Sequence, residues 1–210
     1  MRSGRDDAAL QALGVEVSAI CTTRLARVAG THGLLLDGMV MPAPVVAGVA
    51  YWTTLHPATG ATGWNGSVRA EDADLPFAED SFCAVLARFT GNPDPACVSE
   101  LARVLAPHGT LLIAGVHPRS LWRCGVAPER WERALRATGL DVRPAVRCGA
   151  PWPRQRGAEG LPRWLVRSLG GGWVVEARRS VLATLQLRKP AGRRAVEHNA
   201  LLPGAHRQCA

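Results

Sequence analysis

The stretch between residues 81 and 116 constrains the fold of this chain more than any other feature. Two short apolar runs, residues 81–87 and 110–116, flank an amphipathic helical pattern over residues 94–105. Asp94 has the side chain of a helix N-cap, and Pro95 suits the first helical position. Short apolar runs separated by a helix are typical of buried parallel strands joined by a right-handed crossover. This stretch therefore predicts a parallel sheet covered by helices.

Similar patterns extend along the rest of the 210 residues, a length that suits one domain. The spacing predicts an N-terminal helix (1–30) packed on a core domain (31–190), followed by a tail (191–210). Together the patterns indicate an α/β fold, a doubly wound, mostly parallel sheet with an antiparallel C-terminal edge strand. The expected helices are residues 6–29, 94–105, 128–138 and 161–169; the expected strands are 33–36, 45–52, one that begins at Val68, 81–87, 110–116, 140–148 and 173–187.

The charge is basic and unevenly distributed. The net charge is +8, and residues 119–210 hold 18 basic and 6 acidic side chains, a balance of +12. Five tryptophans lie among these arginines, which would suit an acidic partner or a nucleic acid. The alternative is a solvated arginine-rich surface with the tryptophans in the core. No zinc-finger or helix-turn-helix signature accompanies the charge.

The cysteines indicate a reducing compartment. Six cysteines are scattered without a CxxC pair, and several lie in apolar runs where cysteine acts as a small hydrophobe. The first 30 residues lack the apolar core of a secretory signal, and no run is long enough to span a membrane. We therefore expect a cytoplasmic protein without membrane contact. The histidines and cysteines also lack metal-ligand spacing, so no metal site is predicted.

One region resembles a known family. The runs EDADLPFAEDSFCAVLARF (residues 71–89) and SELARVLAPHGTLLIA (residues 99–114) resemble class I S-adenosylmethionine-dependent methyltransferases of the type 11 group. In that family an acidic segment with Leu-Pro-Phe follows the third strand, and a Val-Leu-x-Pro-Gly-Gly turn precedes the fifth. The resemblance implies a Rossmann-like methyltransferase fold, with S-adenosyl-L-methionine across the carboxyl ends of the strands. It names no methyl acceptor and is compatible with a small molecule or a macromolecule.

The resemblance assigns cofactor-binding residues. Glu71, Asp72 and Ala73 match the segment that holds the edge of the adenine ring; otherwise they form an acidic surface turn. Asp37 and Gly38 match a remnant of the glycine-rich loop after the first strand; otherwise they form an ordinary strand-ending turn.

Further candidates follow the fourth and fifth strands. Ala87 and Arg88 match positions that open onto the cofactor, and Phe89 a position that faces the acceptor. The Arg88 guanidinium could bind a carboxylate, or lie on the surface at a strand end. His117 follows the fifth strand and could contact the acceptor or act as a base, the single candidate for catalysis; a structural turn before a proline is the alternative.

The sequence also departs from the family. The loop after the first strand has one glycine instead of three, so it is degenerate, and residues 38–70 contain no carboxylate that could hold the ribose hydroxyls. Cys83 replaces the usual aspartate, and His108 replaces one glycine of the turn. These features leave two hypotheses. The first is a methyltransferase; the second is a catalytically inactive, methyltransferase-like binding or scaffolding protein that contacts an acidic partner through its arginine-rich half.

Overall fold

A computed structural model describes residues 4–39, 41–58, 63–71, 74–122 and 125–180, with side chains from residue 7 onward. Asp72, Ala73, the end of the predicted last strand and the predicted tail lie outside the described residues. Within the described part the elements are α1 (Gly4–Leu25), β1 (Gly30–Asp37), β2 (Val49–Pro57), β3 (Trp64–Gly66), β4 (Phe82–Arg88), α2 (Pro95–Val104), β5 (Leu105–Val116), α3 (Pro128–Ala137), β6 (Asp141–Cys148), α4 (Arg163–Leu169) and β7 (Gly172–Arg178).

Seven strands form one sheet in the order β3-β2-β1-β4-β5-β7-β6. Strands β2, β1, β4 and β5 are parallel, whereas β3 runs antiparallel to β2 and β7 antiparallel to both β5 and β6. The chain passes from β1 outward to β2 and β3, then returns to β4 on the other side of β1. The connection therefore reverses direction between β1 and β4, which makes this gap the topological switch point of the sheet.

Helices cover both faces of the sheet because their apolar positions recur at helical spacing. On α1, Leu13, Val17, Cys21 and Leu25 are at most 1% exposed and pack on the face that includes Leu35. The opposite face packs against α2 and α3. None of the described helices is long and apolar enough to cross a membrane.

The predicted fold class is confirmed, and so is the start of α2. The Asp94 carboxylate accepts a hydrogen bond from the Ala96 amide at 3.3 Å, and Pro95 begins the helix. The C-terminal strand β7 is antiparallel, as predicted, and the sheet continues one strand beyond it. Residues 172–177 of β7 are buried, whereas β6 is largely exposed, so β6 takes the outer position.

Several predicted boundaries were wrong in the first half. Strand β2 covers residues 49–57 instead of 45–52, because Val46 and Val49 close a tight turn through a 3.0 Å backbone hydrogen bond. Residue 68 does not begin a strand; the third strand is Trp64–Gly66, paired with the end of β2 as a hairpin. Helix α1 ends at Leu25, four residues earlier than predicted.

Strand β5 is longer than predicted because the expected Pro-His-Gly stop lies inside it. The pairing with β4 shifts register between Phe82 and Ala84, and His108 adopts a φ of 62°. The His108 amide donates to the Arg179 carbonyl at 3.1 Å, which holds this bulge against the end of β7. A turn signature within a strand is therefore accommodated as a bulge.

Candidate functional site

The switch point carries the candidate site. Because β1, β4 and β5 are parallel, their carboxyl ends meet at one edge of the sheet, where α/β proteins commonly bind ligands. A cavity of about 330 Å³ lies at this edge. Its wall is formed by the loops after β1 and β4, the end of β5, and side chains from α1, α3 and β7: Leu10, Gly38, Met39, Phe89, Gly91, Asn92, Ala114, Gly115, Val116, Gly125, Val126, Trp131 and Trp173.

The lining of this cavity, the larger of two described at this edge of the sheet, is mainly apolar and aromatic. The Trp131 indole donates to the Gly91 carbonyl at 3.1 Å, and the Trp173 indole donates to the carbonyls of Val116 and Val126 at 3.0 and 2.9 Å. Both rings are thereby fixed with their polar atoms satisfied. None of the described lining residues has a titratable side chain.

Close packing at the switch point requires glycine at one of the predicted positions. The Gly38 amide donates to the Arg88 carbonyl at 2.7 Å, and a Cβ on Gly38 would lie 2.2 Å from the Phe89 carbonyl oxygen. Any side chain there would push the ends of β1 and β4 apart. Gly38 and Phe89, both predicted site residues, thus form adjacent parts of the cavity wall.

A smaller cavity of about 60 Å³ adjoins the larger one and shares Asn92 and Trp131 with it. Ala87, a predicted cofactor residue, contributes to its wall. Two residues of this wall, Trp64 and Thr90, each have one polar atom, Nε1 and Oγ1 respectively, that is buried without a hydrogen-bond partner. Trp64 itself is 5% exposed. Buried polar groups are nearly always paired, so these two atoms indicate a ligand or a water at this position.

Of the predicted adenine segment, Glu71 is the residue that the structure describes. Ala70 and Trp64 exchange backbone hydrogen bonds of 2.7 and 2.9 Å, which places the following residue, Glu71, beside the Trp64 backbone. Glu71 is exposed and is not part of the wall of either cavity. Glu71 therefore follows a residue paired with Trp64 but does not itself line the smaller cavity.

Asp37 and Arg88 come together, but they bind each other. They end the neighbouring strands β1 and β4 in register, and their side chains form a 2.7 Å ion pair in which both are 0% exposed. The Arg88 guanidinium also donates to Ser18 Oγ at 2.8 Å and to the carbonyls of Met41 and Pro42 at 3.3 and 3.2 Å. Neither residue contributes to the described wall of the larger cavity.

The Asp37–Arg88 pair also holds the loop after β1. The Asp37 carboxylate accepts hydrogen bonds from the Met39 and Met41 amides at 3.2 and 3.1 Å. This loop therefore folds back on the end of its own strand, and Met41 packs close to Gly14 of α1. The ion pair therefore fixes the path of this loop beside the cavity.

His117 lies behind the cavity wall. It is 4% exposed, its Nε2 is 2.7 Å from Arg147 Nη2, and its Nδ1 accepts from the Arg119 amide at 3.1 Å. Burial, followed by the Arg147 charge, lowers the pKa of His117 below its usual value. The ring is neutral at pH 7, and its two nitrogens face Arg147 and the backbone instead of the cavity.

The sequence did not single out Trp64, Thr90 or Asn92 for this site. It assigned two further lining residues, Trp131 and Trp173, to a basic surface or to the core. Trp131 and Trp173 are core residues that also form the cavity wall. Within the described residues, no group of three or more histidines, cysteines or carboxylates is placed to hold a metal ion.

S-Adenosylmethionine, the cofactor implied by the resemblance, can be tested against these side chains. Its adenine edge needs hydrogen-bond donors and acceptors, and the unpartnered Trp64 N–H and Thr90 hydroxyl, with the Asn92 amide nearby, offer both. The carboxylate of Asp37 is engaged by Arg88. The described residues therefore fit the adenine end of the cofactor, and its amino-acid end would meet the backbone of the loop after β1.

Comparison with known proteins gives the fold a precedent. No protein-family profile matches the chain. A homoserine kinase from Rhodococcus erythropolis is 29% identical over 110 residues, a match that covers 52% of this chain and 31% of the kinase. The chain thus spans about a third of the length of that curated protein.

Solved structures resemble this chain over most of its length. A Bacillus halodurans protein assigned as a methyltransferase has a TM-score of 0.51 at 14% identity, covering 77% of this chain and 98% of that protein. A 1,6-didemethyltoxoflavin N1-methyltransferase from Burkholderia thailandensis, with S-adenosylhomocysteine bound, has a TM-score of 0.47 at 15% identity, covering 84% and 80%. The first likeness shows that this chain has the Rossmann-like methyltransferase fold.

Proposed function

We propose that the chain is an S-adenosylmethionine-dependent methyltransferase whose cofactor lies along the carboxyl edge of the sheet, across both cavities. The observation that carries this proposal is the pair of unpartnered polar atoms, Trp64 Nε1 and Thr90 Oγ1, in a cavity that adjoins the larger one at the switch point. The Bacillus halodurans structure, which shares the fold and is described as a methyltransferase, supports it.

When bound, the cofactor supplies an electrophilic methyl group on a sulfonium cation. The chain contributes position and water exclusion. Trp131, Trp173 and Phe89 line the larger cavity, and aromatic rings attract cations through their faces. The mainly apolar wall would keep water from the reacting atoms, while the rigid ends of β1, β4 and β5 would fix the approach of the acceptor.

The described residues that line the larger cavity have no titratable side chain, and this limits the chemical class of the methyl acceptor. An alcohol or a protonated amine needs a base before it can attack a methyl group. An acceptor that already has a lone pair at neutral pH, such as a ring nitrogen, does not. We therefore propose that the acceptor carries a neutral nucleophilic atom, and that His117 positions Arg147 behind the wall instead of removing a proton.

The proposal can be tested by isothermal titration with S-adenosylhomocysteine. The Trp64→Phe substitution removes the unpartnered N–H and keeps an aromatic ring. It should weaken binding by about 1 to 3 kcal/mol, roughly 5- to 150-fold in Kd, since the ligand acceptor would lose its donor. Thr90→Val should act in the same direction.

Trp52→Phe is the matched control, because Trp52 Nε1 is also buried without a partner but is not part of the wall of either cavity. It should leave the affinity unchanged. Equal affinities for wild type, Trp64→Phe and Thr90→Val would remove the smaller cavity from the cofactor site. No heat from the wild type at about 1 mM ligand would favour the alternative, a methyltransferase-like protein that binds something else.

A further inference from the structure

Three segments of the basic half meet at the carboxyl edge of the sheet, beyond β5. The Leu121 amide donates to the Pro151 carbonyl at 3.0 Å, and the Trp122 indole donates to the Ala150 carbonyl at 3.0 Å. The His117 amide donates to the Gly171 carbonyl at 2.7 Å. These bonds hold residues 117–122 against the loop that follows β6 and against the short segment between α4 and β7.

These segments are strongly basic. Residues 117–122 and 149–169 contain five arginines and one acidic residue, Glu159. Four of these arginines are exposed: Arg119, Arg156, Arg163 and Arg167. Such an excess of positive charge attracts an anionic partner, and this attraction weakens as salt is added.

Large apolar side chains are exposed among the arginines. Helix α4 has no buried residue, and Trp164 at its second position is 67% exposed. Trp152 is 36% exposed on the adjoining loop. Exposed tryptophans between arginines can stack on bases while the guanidinium groups bind phosphates. We call the surface of Arg119, Trp152, Arg156, Arg163, Trp164 and Arg167 the arginine–tryptophan face.

The arginine–tryptophan face borders the larger cavity. Val116 and Val126 form part of the cavity wall, and Arg119, the first residue of the face, follows Val116 by three positions in the sequence. The Val126 amide donates to the Val116 carbonyl at 3.1 Å, and the Trp173 indole donates to both carbonyls. A long anionic molecule held on the arginine–tryptophan face could therefore place one of its groups at the cavity mouth.

We propose that the arginine–tryptophan face binds a single-stranded nucleic acid, and that this nucleic acid is the methyl acceptor. Its phosphates would meet the arginines and its bases would stack on Trp164 and Trp152. Heterocyclic bases carry ring nitrogens with lone pairs at neutral pH, the kind of nucleophile that a cavity without a base requires. The binding claim stands on the surface alone, whereas the acceptor claim rests on the proposed methyltransferase function.

The experiment measures fluorescence anisotropy of a labelled single-stranded RNA of about 12 nucleotides, and of DNA with the same sequence, with the full chain and no cofactor. The double variant Arg163→Gln/Arg167→Gln should weaken binding at least about tenfold. It should also reduce the slope of log K against log salt by about 1.4, because each phosphate contact contributes roughly 0.7. Trp164→Ala should weaken binding by roughly 5- to 150-fold through the loss of one stacked base.

Matched controls come from other surfaces of the chain. Arg27→Gln/Arg69→Gln removes the same charge at two exposed arginines outside the arginine–tryptophan face, and Tyr51→Ala removes an aromatic ring that is also 67% exposed. Both controls should retain wild-type affinity within about twofold, since neither touches the proposed contacts. If Arg163→Gln/Arg167→Gln fails to fold by circular dichroism, Arg119→Gln/Arg156→Gln replaces it.

Three results would overturn the binding claim: no binding at low salt, equal losses in the control variants, or binding to phosphatidylserine vesicles with none to either oligonucleotide. A difference between RNA and DNA identifies which nucleic acid is preferred, and either supports the claim. Nucleic-acid binding without S-adenosylhomocysteine binding would leave the arginine–tryptophan face intact and refute the methyltransferase, so the two failures are distinguishable.

Discussion

Breaking the buried ion pair between Asp37 and Arg88 should cost a large part of the stability of this chain. Both side chains are 0% exposed, and removal of one partner from a buried pair costs about 3 to 5 kcal/mol. In Arg88→Met, the Asp37 carboxylate would keep only the Met39 and Met41 amides as donors, at 3.2 and 3.1 Å. A domain of this size is stable by about 5 to 15 kcal/mol, so the loss is severe.

Urea denaturation of wild type, Arg88→Met, Asp37→Asn and the double variant provides the assay. We expect Arg88→Met to lower the free energy of unfolding by about 3 to 5 kcal/mol, with a fall in Tm of about 6 to 20 °C at 2 to 4 °C per kcal/mol. The double variant should recover at least half of that loss, because it no longer buries an unpaired charge. A loss below about 1 kcal/mol in Arg88→Met, or strict additivity in the double variant, would refute this reasoning.

Two further predictions concern single positions at the same edge of the sheet. Because the pKa of His117 is lowered by burial and by Arg147, the unfolded chain binds more protons between the two pKa values. The free energy of unfolding should therefore fall as the pH drops from about 6.5 through the folded-state pKa of His117. His117→Gln should remove this part of the pH dependence. A titration of His117 in the folded chain by NMR with a midpoint above 6.5 would contradict the prediction. Gly38→Ala should lower Tm, since its Cβ would lie 2.2 Å from the Phe89 carbonyl oxygen. An unchanged Tm would show that this contact relaxes freely.

The sequence predicted the middle of the fold well because local signals there agree with the tertiary structure. The Asp94 cap, Pro95 and the apolar runs of β4 and β5 all indicate the same strand–helix–strand unit. The region of β2 and β3 was less predictable. His56 and Pro57 resemble loop residues in sequence, yet both lie inside β2, where the pairing with β3 sets their structure.

The candidate site could be located from the sequence but not completed. Gly38, Ala87 and Phe89 follow from the motif, and all three lie on the cavity walls. The Asp37–Arg88 ion pair joins residues 51 positions apart, and only the register of β1 and β4 brings them together. Their opposite charges at the ends of two buried strands were the signal that could have indicated it.

The unpartnered atoms of Trp64 and Thr90 had no sequence signal at all. Whether a buried donor has a partner depends on every neighbour in three dimensions, and those neighbours come from β1, β4, α2 and α3. A tryptophan and a threonine in loop-like surroundings are ordinary in sequence. Their importance appears only once the cavity between them is known.

The most direct test of the account is a crystal structure of the chain with S-adenosylhomocysteine. We predict that the ligand lies along the carboxyl edge of the sheet, with polar atoms of its adenine within about 3.2 Å of Trp64 Nε1 or Thr90 Oγ1. Its sulfur should lie in the larger cavity, between the aromatic side chains of Phe89 and Trp131. A ligand bound elsewhere, or both cavities filled by water at saturating ligand, would contradict the claim that this edge is a cofactor site.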